Sequence, residues 1–407
     1  MRASHLPACA AVMLTGLSAL PAQAMDLYLN GFADFRTVAT SAEKSWLDGG
    51  LGKTRYGGDD KSGSVTGKFA EADLMGVWKV AQGLDVQGQV RIDPDQKTVF
   101  DVIESYARWH PGFTRDITIK VGAFFPPISL ENDGPGWTPT YTLTPSAINS
   151  WVGDELRTIG GEINYTWHGD MGRVDLFGAV YGWNDPAGVL LSLRGWTFND
   201  RPVGLLDRPR APDALTGAPG QPPIRLDMYR EIDDAPGWYA GATWQLPGLP
   251  RLSIMRYDNN ADPTASRVQV AWNTRFWSAG LEQRLPYGFV VMSQAMRGVT
   301  IIAATPDSRS TTEFESAYVL LGYDWRDFRF GFRVDAFGTA ERGPTDRVNY
   351  SEHGKAEVLS AAWRATRYLT LTGELLNIDS NRPLRTALDQ PSDTANRQFQ
   401  LSVRLSI

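Results

Sequence analysis

Cysteine occurs once in the 407 residues, as Cys9, which excludes an internal disulfide framework and a Cys-ligated metal. Long apolar runs are also scarce. The run from Ala8 to Leu20 follows Arg2 and precedes Ala22-Gln23-Ala24, a small-x-small pattern. This predicts a secretory leader over residues 1–24, too short to span a membrane as a helix. Cys9 would leave with that leader, so no thiol nucleophile would remain. Beyond it no apolar run reaches the ~18 residues that a transmembrane helix needs. Basic runs are absent and the net charge is −6, which argues against a nucleic-acid partner. Histidine occurs four times and no HExxH spacing is present, which leaves little for metal or triad chemistry.

Period-two alternation is abundant. Leu84, Val86, Gly88, Val90 and Ile92 interleave with Asp85, Gln87, Gln89, Arg91 and Asp93. Phe328, Phe330, Phe332, Val334 and Ala336 interleave with Arg329, Gly331, Arg333 and Asp335. Leu369, Leu371 and Leu375 alternate with polar residues, as do Phe399, Leu401, Val403, Leu405 and Ile407 at the C-terminus. Each such run has one apolar face and one carrying full charges. Mean hydropathy is −0.28, which a spanning barrel with a polar lumen also shows. Arg251–Tyr257 and Phe289–Met296 do not alternate cleanly, so their registers stay open.

Connections alternate in length. Short turns stand near Ala81–Gly83, His110–Arg115, His168–Gly172, Pro247–Pro250, Pro286–Gly288, Arg326–Asp327 and Ala365–Arg367. Long polar segments stand at the other strand ends, about Thr40–Ser64, Pro126–Val152, Asn184–Pro236, Thr300–Thr312, Gly338–Gly354 and Ser380–Ala395. Trp78, Trp109, Trp167, Trp244, Trp325 and Trp363 each stand at or just before a short turn. Tryptophan recurring at one height is the pattern of an aromatic girdle at a membrane interface. The expectation is all-β: one transmembrane antiparallel up-and-down barrel of about sixteen strands over residues 25–407, each strand near the ~9–11 residues a tilted span needs.

The stretch from Val121 to Trp151 departs from this rhythm. It begins as a strand, with Ile117, Ile119, Val121 and Ala123 on one face. Pro126 and Pro127 cannot donate to a ladder, and a long Pro/Thr/Ser/Gly segment follows. A long structureless connection in a compact domain is usually functional or disordered. The expectation is a loop folded into the lumen.

Two loops on that side are shorter, near Pro94–Thr98 and Asn259–Ser266, so the 126–152 segment is the third loop there in order. The architecture resembles the general porins of Gram-negative outer membranes, which have about sixteen strands and fold their third loop inward. Lys120-Val121-Gly122-Ala123-Phe124-Phe125-Pro126-Pro127 with Leu130-Glu131 is similar to the phosphate-selective porin O and P group. So is the run from Thr274-Arg275-Phe276-Trp277 to Leu281-Glu282-Gln283-Arg284-Leu285-Pro286. The resemblance implies a homotrimeric channel in the outer-membrane lipid, with no cofactor, passing small hydrophilic solutes or ions. Two features depart from it. The chain ends on Ile407 rather than an aromatic, and no Lys or Arg lies between Lys120 and Arg157.

The candidate constriction residues are Glu131, Asp133, Tyr141 and Arg157. The candidate basic wall residues, from parity, are Arg91, Arg108, Lys120, Arg329 and Arg333. Trp137, Tyr141 and Trp151 offer ring surfaces to a solute or pack the loop to the wall. An acidic loop facing basic rungs implies a transverse field across a narrowing, and carboxylates there favour weak selectivity or a mild cation preference over a phosphate site. Two other classes fit the sequence less well. A barrel enzyme would need its histidines together, yet parity puts His110 and His168 at short turns and His353 in a long loop. Gly49-Gly50-Leu51-Gly52-Lys53-Thr54 lacks the phosphate-loop spacing. A soluble secreted β protein would share the alternation but not the length asymmetry with its tryptophans.

Overall fold

The computed structural model describes residues 26–114, 116–213, 222–303, 305, 308–343 and 349–407. The expected leader lies outside the described residues. Sixteen strands close into one antiparallel barrel, each bonded to its sequence neighbours. They are β1 (Leu27–Thr40), β2 (Ser64–Ala81), β3 (Leu84–Ile92), β4 (Phe100–Trp109), β5 (Ile117–Phe124), β6 (Thr158–Gly169), β7 (Gly172–Gly182) and β8 (Gly237–Gln245). The second half comprises β9 (Arg251–Asp258), β10 (Asn273–Arg284), β11 (Phe289–Ala303), β12 (Arg309–Trp325), β13 (Phe328–Arg342), β14 (Glu352–Arg364), β15 (Leu369–Asn381) and β16 (Asp393–Ser406). Closure is made by β1 against β16, from Phe32 opposite Ser406 to Thr40 opposite Gln398. A closed sheet has no free edge, so every strand is paired on both sides.

Side-chain parity follows the alternation. On β13, Phe332, Val334 and Ala336 face out while Arg333, Asp335 and Phe337 are buried inside. On β16, Phe399, Leu401, Val403 and Leu405 face out, with Gln400 and Ser402 inside. The six turn-associated tryptophans all close even-numbered strands, so they share one rim. There Phe328 stacks between Trp325 and Trp363, at centroid distances of 5.8 and 6.3 Å.

Two expectations are corrected. Strands β11 to β13 run longer than expected, 15, 17 and 15 residues, so the connections at the long-loop rim there are shorter. Residues expected in a loop, such as Ser310, Thr311 and Thr312, lie on ladder positions. The interior is also not simply polar. Met255 and Tyr257 on β9 and Val290, Met292 and Met296 on β11 point inward and are buried. They join a large apolar cluster with Ile128, Ile148, Trp151, Trp196 and Phe198, all from long loops. Both faces of β9 and β11 therefore carry large apolar residues, which is why neither alternates cleanly.

Candidate functional site

The site is built around the segment leaving β5. Pro126 and Pro127 end the ladder, and the Phe125 N–H turns to the Glu104 carboxylate at 2.7 Å. The chain then reverses at Gly136 and Trp137, where both φ angles are positive, and the Gly134 N–H meets the Thr138 carbonyl at 2.9 Å. Ser146 caps a helix, α1 (Ala147–Glu155), by accepting from the Asn149 N–H at 3.2 Å. Glu131 reaches back to the same terminus, accepting from the Ser146 N–H at 2.8 Å and the Asn149 amide at 2.7 Å. A carboxylate at a helix N-terminus satisfies donors that have no intrahelical partner.

Wall residues from β12, β13 and β15 hold this segment. Arg333 pairs with Asp335 at 2.8 Å and Glu131 at 3.2 Å, and donates to the Thr144 and Pro145 carbonyls at 2.7 and 2.8 Å. Glu374 accepts from the Thr144 N–H at 3.1 Å and also from that of Leu143. Tyr141 donates to Asp324 at 3.1 Å, and its ring lies 5.0 Å from the Arg329 guanidinium carbon. Gly322 and Gly331 are paired across β12 and β13. A Cβ on Gly331 would lie 2.3 Å from the Tyr141 carbonyl oxygen, and one on Gly322 2.5 Å from its ring. Only glycine leaves room there for the loop.

The sequence-derived residues separate into two groups. Glu131, Tyr141, Arg157, Arg91 and Arg333 are buried, each taken up by neighbours. Arg157 stacks on Phe125, 3.4 Å from the ring centroid, and donates to the Val203 carbonyl at 3.0 Å. Burial pushes its pKa down. Arg91 pairs with Asp73 at 3.3 Å and donates to the Gly136 carbonyl at 2.6 Å. Arg91 and Arg333 point inward as parity requires, yet loop atoms cover them. The other group reaches solvent. Asp133 is exposed, and side-chain exposure is 37% at Arg108, 20% at Lys120 and 33% at Arg329. Each of these cations has a carboxylate beside it: Asp85 at 2.6 Å, Glu162 at 2.7 Å and Asp324 at 2.6 Å respectively. Partial burial, with Glu282 nearby, pushes the Asp133 carboxyl up. Of the ring surfaces, Trp137 stacks on Phe125 at 3.7 Å and Trp151 lies edge-on to Phe276 at 5.4 Å, so both pack the loop.

Further interior groups were not picked out in the sequence. Asp200, from the connection between β7 and β8, meets Arg36 and lies 3.3 Å from Arg55. Burial opposes its ionisation, but Arg36 and Arg55 hold its carboxyl well below the usual range. Lys53, in the first long connection, pairs with Glu352, as does Arg382 at 3.4 Å. Glu155 caps a second helix, α2 (Val189–Arg194), accepting 2.6 Å bonds from the N–H groups of Gly188 and Leu191. Burial pushes Glu155 up to about 7, against Arg194 and those two N–H groups. Asp154 beside it pairs with Arg194. Three loops thus pack together inside, through partners more than thirty residues apart in sequence. Asp185, Glu231 and Asp233 place carboxylate oxygens within 4.8 Å of one another. Asp185 accepts there from the N–H groups of Ile232 and Asp233, so the trio is part of the loop's own bonding. Among the histidines, His110 meets the Thr118 hydroxyl at 3.1 Å, and His353 lies at the rim opposite His110 and His168.

No family model and no curated protein matches the chain. Solved structures do match its shape. The outer membrane channel DcaP of Acinetobacter baumannii aligns at TM-score 0.56 and 12% identity, over 94% of this chain and 97% of that one. OmpF of Salmonella typhi, solved with daunomycin, aligns at 0.53 and 9%, again over 94% and 97%. A loop-deleted OmpT, an outer membrane protein of Vibrio cholerae, aligns at 0.51 and 9%, over 95% and 100%. The chain therefore has the closed sixteen-strand barrel fold that these outer-membrane proteins share.

Proposed function

We propose that the chain is an outer-membrane porin: a channel for passive diffusion of small hydrophilic solutes or ions, narrowed by the segment from 126 to 152. The observation that carries the reading is the hold of Arg333, Glu374 and Asp324 on that segment. These residues stand on inward faces of β12, β13 and β15, whereas the segment starts from β5. A loop so attached crosses the interior and narrows it. The outward Phe, Leu and Val face with its tryptophan rim suits lipid. The short-turn rim would face the periplasm, and export would use residues 1–24.

The exposed charges Arg108, Lys120 and Arg329 are each matched by a carboxylate, which favours weak selectivity. Homotrimeric assembly is part of the proposal, and cross-linking of the detergent-extracted protein that yields monomers alone would remove it. The channel itself is tested by incorporation into planar bilayers. Stepwise conductance supports the reading, and its absence from correctly folded protein refutes it.

A further inference from the structure

We propose that residues 196–207, in the connection between β7 and β8, form a retractable plug, and that the channel conducts only when this stretch leaves the lumen. The proposal rests on the channel reading and concerns regulation of that same path. A sixteen-strand barrel is wide enough for an aqueous channel, and such a channel wets its wall. Here the inward residues Arg36, Arg91, Tyr239, Phe276, Arg333 and Gln400 are at most 2% exposed, and they come from all round the ring. One cavity of about 320 Å³ stands at the long-loop mouth, against Thr66, Lys68 and Asp95. Another of about 220 Å³ stands at the short-turn mouth, against Arg329, Arg364 and Arg404. The two share no lining residue, and the buried layer lies between them.

The course of the stretch explains the closure. Its tether lies at β7 and β8, half the ring away from the seam between β1 and β16. Trp196 donates its ring N–H to the Gly338 carbonyl on β13 at 3.0 Å, and Phe198 meets Phe337 of the same strand at a centroid distance of 5.5 Å. The backbone N–H of Trp196 goes to Glu352 on β14. Asp200 pairs with Arg36 on β1, and its carbonyl accepts from Arg91 on β3 at 3.4 Å. The Leu205 N–H reaches the Val102 carbonyl on β4 at 2.9 Å. One short stretch thus spans the lumen from β13 past β1 to β4, while the 126–152 segment covers Arg333.

The seat of this stretch on β1 to β4 is rich in charge and loosely bonded. Arg201 faces Asp93 at 3.4 Å, and neither contact atom has a hydrogen-bond partner. Both Glu71 carboxylate oxygens also lack one, standing 3.5 Å from Arg55 and Arg91 and 3.8 Å from Arg36. Buried charges met this loosely recover little of their lost hydration, so returning them to water costs little. The 126–152 segment differs, because Arg333 meets its carbonyls at 2.7 and 2.8 Å. The 196–207 stretch is therefore the part that moves, and its apolar end, Trp196 and Phe198, draws it back to the wall.

The test locks the plug in place. A Cβ built on Gly153 of α1 lies 3.5 Å from the Pro202 Cβ, within the span that a disulfide bridges. The detergent-extracted chain carrying Gly153→Cys and Pro202→Cys is placed in planar bilayers, oxidised with copper phenanthroline and then reduced with dithiothreitol. The expected result is loss of openings on oxidation and their return on reduction, with Gly153→Cys alone unaffected. Asp200→Ala should raise the open fraction at least about tenfold, since it strips Arg36 and Arg55 of a shared carboxylate. Openings that persist in the cross-linked variant overturn the proposal, and so does a folded double variant that never forms the disulfide. Should the double variant fail to fold, Asp200→Ala decides, and an unchanged open fraction overturns the plug. A parent that conducts, with no response in either variant, removes only the plug. Silence of every variant, oxidised or reduced, removes the channel as well.

Discussion

Replacing Arg333 by Gln should release the 126–152 segment from the wall while leaving the barrel closed. Arg333 is fully buried and serves two carboxylates and two loop carbonyls within 3.2 Å. Removing one partner of a buried ion pair costs about 3–5 kcal/mol, because the remaining charge is left uncompensated. At about 1.4 kcal/mol per tenfold, that is roughly a hundred- to several-thousandfold shift in the docking equilibrium. The loss falls on the loop, since Glu131 and the Thr144 and Pro145 carbonyls belong to it. Limited proteolysis should cut between Glu131 and Ser146 in the variant and not in the parent. Single-channel conductance should rise. Arg329→Gln is the internal comparison: its ion pair is a third exposed and contributes at most ~1 kcal/mol. Equal protease resistance and equal conductance in parent and Arg333→Gln would refute the reasoning.

Three further outcomes follow from the geometry. Gly331→Val should loosen the same loop, since a Cβ there meets the Tyr141 carbonyl at 2.3 Å; Gly67→Ala, whose only neighbour is a Thr37 oxygen at 3.9 Å, should not, and proteolysis of both variants checks this. Phe332→Arg, at an outward position 47% exposed, should cost about 2–4 kcal/mol if it lies at mid-membrane, read from urea titrations in lipid vesicles. Glu155 has its pKa raised to about 7 from an ordinary 4.5, so the folded state favours the proton. That contribution is full below about 4.5 and is lost as pH rises through about 7. Hydrogen exchange at Gly188–Leu191, corrected for intrinsic rate, should therefore show less protection at pH 8 than at pH 6, and Glu155→Gln should remove the difference.

Much of the barrel was legible because its outward face obeys a single rule. Phe332, Val334, Leu401 and Val403 meet one kind of environment, so a period of two suffices to place them. The tryptophans at Trp109, Trp325 and Trp363 were legible for the same reason. The interior obeys no such rule. Met292 and Tyr257 face inward yet are apolar, because Ile128, Ile148 and Trp151 come to meet them. Asp200 meets Arg36 from 164 positions away in the chain, and Lys53 meets Glu352 from 299. Nothing local in the sequence marks such pairs. Arg91 and Arg333 point inward but are covered by loop atoms, and that cover depends on where distant loops settle. The glycine pair at Gly322 and Gly331 left a faint signal, two glycines at the same level of neighbouring strands, legible only once the register was known.

The most direct test of the account is the reversal potential of single channels in a tenfold KCl gradient. A sixteen-strand barrel with its exposed charges paired should conduct in discrete steps and reverse within a few millivolts of zero. A reversal potential near the ideal value for either ion would contradict the charge pairing at Arg108, Lys120 and Arg329. Silence from folded, membrane-inserted protein would contradict the channel itself.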